Sequence, residues 1–173
     1  MTPIGHISVS FIASKIISKK YPIYLGYILV GGIIPDIDFL SYFFGHLNSF
    51  HRTYTHSIGF LMICLFIILL FNIYSKKLKI ILLSFSIGFI LHLLVDAGLD
   101  SNYSNGIGIP ILWPLYDQYF YWFQYFIDDI QNVSSTSWEN PLDFINSNVI
   151  NILLVEVPFY IYAFYLFKKR KHE

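Results

Sequence analysis

Charge is scarce in this sequence. Only 13% of its 173 residues are charged, against 55% apolar and 20% aromatic. A soluble domain carries about 25% charged residues, and so many apolar side chains cannot all be placed inside a globule this small. A soluble globule is therefore excluded as the simple reading, and lipid becomes the solvent for much of the surface. Cysteine is nearly absent too: the single Cys64 rules out an intrachain disulfide and a disulfide-stapled secreted fold. No excess of basic charge exists, since 11 Lys and Arg balance 11 Asp and Glu, so nothing points to nucleic-acid binding. Disorder, a coiled coil and internal repeats are equally poor matches to the chain. Basic residues are missing altogether from residue 80 to residue 167, a stretch holding Asp96, Asp100, Asp117, Asp128, Asp129, Glu139, Asp143 and Glu156.

What is present is apolar runs at membrane length. Crossing the hydrocarbon core takes roughly 20 mainly apolar residues, with a range near 17–25. Residues 57–74, 80–97 and 149–167 meet this, the last with Pro158 as a kink. Residues 22–35 are shorter and interrupted by Gly31-Gly32, and 4–18 form a serine-bearing segment with Pro3 at a helix start. The first run is not read as a signal peptide, because its positive charges follow it. The expectation is a single membrane-embedded domain over 1–173: an all-α, polytopic helix bundle of four to five helices with a long aromatic-rich outer loop at 98–148.

Sidedness follows from the lysines. They cluster at Lys15, Lys19 and Lys20, at Lys76, Lys77 and Lys79, and with Arg170 at Lys168, Lys169 and Lys171. Short loops rich in Lys and Arg stay cytoplasmic, and placing all three clusters inside gives one consistent threading with the N-terminus outside. The outer loop includes WPLYDQYFYWFQYF at 113–126, whose Trp and Tyr suit the lipid–water boundary. It reads either as an interfacial helix or lid, or as a loop packing its own small core.

That threading, fixed by lysines alone, brings seven polar side chains to one depth on the outer side. Ser84, Gly88, His92 and Asp96 are spaced by four and share a helix face. His6, Ser10, Ser14 and Ser18 repeat the spacing, and PDID (35–38) and HRTYTHS (51–57) add Asp36, Asp38, His51 and His56. Ionisable groups in a span are costly and normally have a partner or a task. Imidazole nitrogen with carboxylate oxygen suits zinc, manganese or iron, and seven candidates allow one or two ions that polarise an ester and activate water. Asp36 and Asp38, two apart, do not share a helical face, so one is ligand and the other orients an imidazole, or the segment is extended. Arg52, the one basic residue on the outer side, suits a substrate phosphate or carboxylate, or an ion pair with a nearby aspartate. His46 reads as a surface residue.

GHISVSF, GGIIPDIDFLS, HRTYTHS, LHLLVDAGLD and GIPILWPL occur in that order. Over residues 1 to about 116 the chain resembles the YdjM-like family of predicted membrane-bound, metal-dependent hydrolases. The order of His and Asp is also similar, more distantly, to zinc-dependent phospholipase C and P1-type nucleases. The family resemblance implies His6, Asp36, Asp38, His51, His56, His92 and Asp96 as metal-site residues, with Arg52 beside them. Because the site opens at the membrane interface, the expectation is hydrolysis of a phosphoester, a lipid or lipid-linked one, by water on a divalent metal, with Arg52 on the phosphate and a spare aspartate, Asp38, managing the proton. Membrane lipid is the expected partner and the outer face of the cell membrane the expected location. The alternatives are a metal-ion carrier or sensor using the same ligands, and a non-catalytic membrane scaffold held together by the His/Asp network.

Overall fold

The computed structural model describes residues 2–44, 54–99, 108–120 and 148–169. Among them are five α-helices and no strand: α1 (Pro3–Ile17), α2 (Leu25–Gly31), α3 (Ile58–Asn72), α4 (Leu78–Leu99) and α5 (Asn148–Lys169). Between α2 and α3, Ile34–Phe44 winds as a 3-10 helix. Thr2 caps α1, accepting from Gly5 N at 3.1 Å, and Pro3 follows at the first helical position, where its missing N–H costs nothing.

The expected helices are present but their lengths are corrected. One helix among the described residues, over Leu78–Gly98, is long and apolar enough to cross a membrane. The segment expected over 57–74 forms 15 residues of helix, as does α1, which at 1.5 Å per residue is about 22 Å, short of a core about 30 Å thick. Residues 22–35 do not form one span. The chain stays extended through Tyr24, turns helically for seven residues and passes into the 3-10 segment. The α-helix ends at Gly31-Gly32, three-residue bonding begins with Ile33 N on Val30 O at 3.1 Å, and Pro35, which offers no N–H, does not let the α-helix resume, Asp36 N bonding Ile33 O at 2.9 Å.

Packing is inverted relative to a soluble bundle. Ser8, Ser10, Ser14, Ser84, His6, His92, Asp96 and Glu156 are buried, whereas Met62, Phe66, Leu70 and Phe71 of α3 and Ile161 and Phe164 of α5 are exposed. Apolar residues outside and small or polar ones between helices is the pattern that lipid selects. The apolar core is modest: Leu61 and Cys64 of α3 meet Phe85, Phe89, Leu93 and Ala97 of α4, together with Ile109.

The tightest contact is between α2 and α4, which run parallel. Tyr24 N donates to Ser84 Oγ at 2.9 Å and His92 Nδ1 donates to Gly32 O at 2.9 Å, both pairs 60 residues apart. Between these pairs, at the same offset, Gly88 lies against the Ile28 backbone; a Cβ there would overlap the Ile28 carbonyl, and one on Gly31 would overlap the Phe85 carbonyl. The two backbones touch because neither glycine has a side chain. Overpacking of this kind costs about 1–3 kcal/mol. Gly88→Ala is therefore expected to lower the midpoint of thermal unfolding in detergent. Gly26→Ala, in a helix with open space around it, is expected to hold or raise it, since alanine gains up to about 1 kcal/mol over glycine in a helix. Equal midpoints for the two variants would contradict the close approach.

Candidate metal centre

The α2–α4 contact carries His92, Asp96 and Asp36 into one place. Ser84, Gly88, His92 and Asp96 form a buried stripe along α4, as their spacing predicts. His6, one turn into α1, enters from the other side and stacks its ring on His92, with centroids 3.7 Å apart. One ligand-type atom from each of His6, Asp36, His92 and Asp96 lies within 4.8 Å of all the others, and all four residues are buried.

His56 joins them from the segment ahead of α3. Its Nε2 is 3.1 Å from His92 Nε2, 3.2 Å from Asp96 Oδ2 and 3.6 Å from Asp36 Oδ1. The helix start behind it is firmly held. Ser57 caps α3 through Phe60 N (3.1 Å), while Ile58 N and Gly59 N donate to the carbonyls of Ile111 (2.8 Å) and Trp113 (3.1 Å). Three of the donors that a helix start leaves orphaned are thus satisfied. The GIPILWPL stretch supplies two of those partners, with Tyr54 edge-on to Trp113 at 5.0 Å. Its described residues therefore buttress the site rather than cover it, and residues 121–126 of the aromatic stretch lie outside the described residues.

Hydrogen bonds on the far side of the rings assign the tautomers. His92 Nδ1 faces a carbonyl, which can only accept, so Nδ1 carries the proton and Nε2 of the neutral ring turns a lone pair towards Asp36 (3.7 Å) and Asp96 (3.3 Å). Thr55 Oγ1 donates to Asp38 Oδ2 at 2.8 Å, which leaves it to accept from His56 Nδ1 at 3.1 Å. Asp38 therefore orients His56, directly at 3.5 Å and through Thr55, whereas Asp36 is turned to the centre. On a 3-10 helix of three residues per turn, positions two apart point in different directions.

The donor set fits a divalent cation. His6 Nε2 sits 3.1 Å from Asp96 Oδ1, yet neither His6 nitrogen nor Asp36 Oδ2 makes a hydrogen bond among the described residues. Buried polar groups are otherwise almost always bonded. Imidazole nitrogen and carboxylate oxygen converging in one buried place, three of those atoms without a hydrogen bond among the described residues, suit zinc, manganese or iron. Of the seven residues expected at the site, the structure brings together His6, Asp36, His56, His92 and Asp96, with Asp38 one step behind. His51 and Arg52 lie outside the described residues, as does His46.

Sequence reasoning missed Thr55, the Gly32 carbonyl and the carbonyls of Ile111 and Trp113. Thr55 stands inside HRTYTHS, and its place beside a candidate ligand was the one available signal; backbone acceptors leave none. Partners that orient ligand imidazoles are typically worth about 10–100-fold in metal affinity. Thr55→Val is accordingly expected to weaken zinc binding by that factor at unchanged stoichiometry, measured by competition with a chromophoric chelator. Wild-type affinity in that variant would mean that Asp38 does not act through Thr55.

No curated protein and no solved structure gives a match to the chain. A family model described as YdjM inner membrane protein matches residues 1–172. The likeness thus extends past residue 116, where the recognisable motifs end, through α5. With a match over nearly its whole length, the chain belongs to the YdjM inner membrane protein family.

Proposed function

We propose that the protein is a membrane-bound, metal-dependent hydrolase acting on a phosphoester or lipid-type substrate at the outer membrane face. The observation that carries this reading is the convergence of His6, Asp36, His92 and Asp96, all buried, within 4.8 Å. Once bound there, a divalent ion supplies Lewis acidity and makes water a usable nucleophile near neutral pH. The residues of the chain do the rest. His92 and His56 are held with Nε2 inward by Gly32 O and by Thr55 with Asp38. The proton-handling role expected of Asp38 passes to Asp36 in this reading: Asp38 Oδ2 is taken up by Thr55 and His56, whereas Asp36 Oδ2 makes no hydrogen bond among the described residues and is placed to take a proton from water. Arg52 is assigned to the phosphate oxygens on its charge and planar fork.

Two features support the outer face. α1 packs along α5 in parallel, Thr2 beside Glu156 and Phe11 beside Phe167, and α2 runs parallel to α4. That is the threading in which all three lysine clusters lie on one side and the His/Asp group on the other. A conducting path is less well supported than a catalytic site. The buried serines donate back to their own helices, Ser8 to Ile4 O at 3.0 Å, Ser14 to Phe11 O at 2.6 Å and Ser84 to Ile80 O at 2.6 Å.

In detergent, the wild-type chain is expected to carry stoichiometric transition metal and to hydrolyse phosphoesters in a chelator-sensitive way. The double variant His56→Ala/His92→Ala is expected to lose both. A metal-free wild type, or a double variant that retains its metal, refutes the reading, while metal uptake into proteoliposomes without turnover favours a carrier. A cysteine at Ser104 in a Cys64→Ser background is expected to react with an impermeant maleimide in intact cells. Reaction only after permeabilisation would invert the topology.

A further inference from the structure

α5 carries a buried acid that the metal centre does not use. Glu156 is fully buried in a helix whose neighbouring Val155, Val157 and Ile161 are exposed and apolar. Such an acid is expensive in lipid and normally has a task. Both of its oxygens are engaged by the N-terminal cap of α1. Thr2 N donates to Oε1 at 2.5 Å and Thr2 Oγ1 donates to Oε2 at 2.5 Å. One turn on, Tyr160 donates its hydroxyl to Oε2 and stands 3.0 Å from Thr2 Oγ1. The same threonine accepts from Gly5 N through its hydroxyl and from His6 N, at 3.1 Å, through its carbonyl. One carboxylate thus holds the turn of helix on which His6 stands.

His6 depends on that turn more than the other imidazoles depend on theirs. His92 is oriented by Gly32 O and His56 by Thr55. Neither His6 nitrogen makes a hydrogen bond among the described residues, so its ring is located by its ion-pair approach to Asp96 Oδ1 at 3.1 Å, by stacking on His92 and by the position of α1 itself. We propose that Glu156 is a positioning residue for the metal centre, latching the first turn of α1 to α5 and so setting the height and rotation of His6. The proposal rests on the metal-centre reading for its consequence in affinity, though the latch itself does not require a metal.

Glu156→Gln tests it on the full chain. A carboxylate only accepts, whereas the Gln amide must turn donor hydrogens towards Thr2 N–H or towards the two hydroxyls. Thr2→Val, which removes the hydroxyl and keeps the main-chain donor, is the second variant. In metal-free protein with labelled histidines, both substitutions are expected to shift the His6 ring resonances in NMR and to leave those of His56 in place. Zinc affinity, by chelator competition, is expected to fall about 10–100-fold, as for other residues that orient a ligand, and Glu156→Asp to recover part of that loss. Unmoved His6 resonances in both variants overturn the proposal, as do shifts of all the site histidines together, or moved His6 resonances at wild-type zinc affinity. A wild type that binds no zinc while the variants still move His6 leaves the latch standing and removes the metal reading.

Discussion

The close approach of α2 to α4 is the constraint on which the rest depends. Gly31 and Gly88 let two backbones meet, and the contact propagates at a fixed offset along both elements: Tyr24 to Ser84, Ile28 to Gly88, Gly32 to His92. One further turn on come Asp36 and Asp96, both within ion-pair distance of His56 Nε2. Lipid gives no hydrophobic drive for helices to associate, so association relies on such packing and on hydrogen bonds between helices. Here the same contact that holds two helices together also orients an imidazole and aligns two carboxylates. Past Gly31-Gly32 the chain winds as a 3-10 helix, which sends Asp36 inward and Asp38 to Thr55.

The centre has an inner set of groups and a supporting set, contributed by different parts of the chain. The carbonyl of Gly32, the Thr55–Asp38 pair and the carbonyls of Ile111 and Trp113 make few claims on the centre itself, but they fix which nitrogen faces it and where α3 begins. Glu156 does for α1 what the 108–114 stretch does for α3. In that arrangement α5 contributes to the site through its hold on Thr2, although none of its described side chains is among the converging groups.

Much of this was legible in the residues. The four-residue spacing of Ser84, Gly88, His92 and Asp96 gave the buried face of α4 because helical geometry admits one face for that spacing. Lysine clusters set one depth for seven side chains: His6, Asp36, His56, His92 and Asp96 converge, Asp38 stands one step behind, and His51 lies outside the described residues. Lengths were less legible: apolar character persists past the C-terminal end of α3 in Ile73 and Tyr74, so 57–74 reads as longer than the 15 residues that are helical. The interruption at Gly31-Gly32, where α2 ends, was visible, but not that 3-10 winding would follow it. Thr2, Thr55 and the carbonyls were not legible, because a hydroxyl or a main-chain oxygen acquires its role only from a partner distant in sequence, as Thr2 does from Glu156.

The central claim is that imidazole nitrogens and carboxylate oxygens from α1, the 3-10 segment, the approach to α3 and α4 surround one divalent ion. X-ray absorption at the zinc edge of purified, zinc-loaded protein tests it most directly. The account predicts a first shell of nitrogen and oxygen only, at about 2.0–2.2 Å, with the outer-shell scattering of imidazole rings. A sulfur shell near 2.3 Å, or a first shell with no imidazole signature, would contradict it.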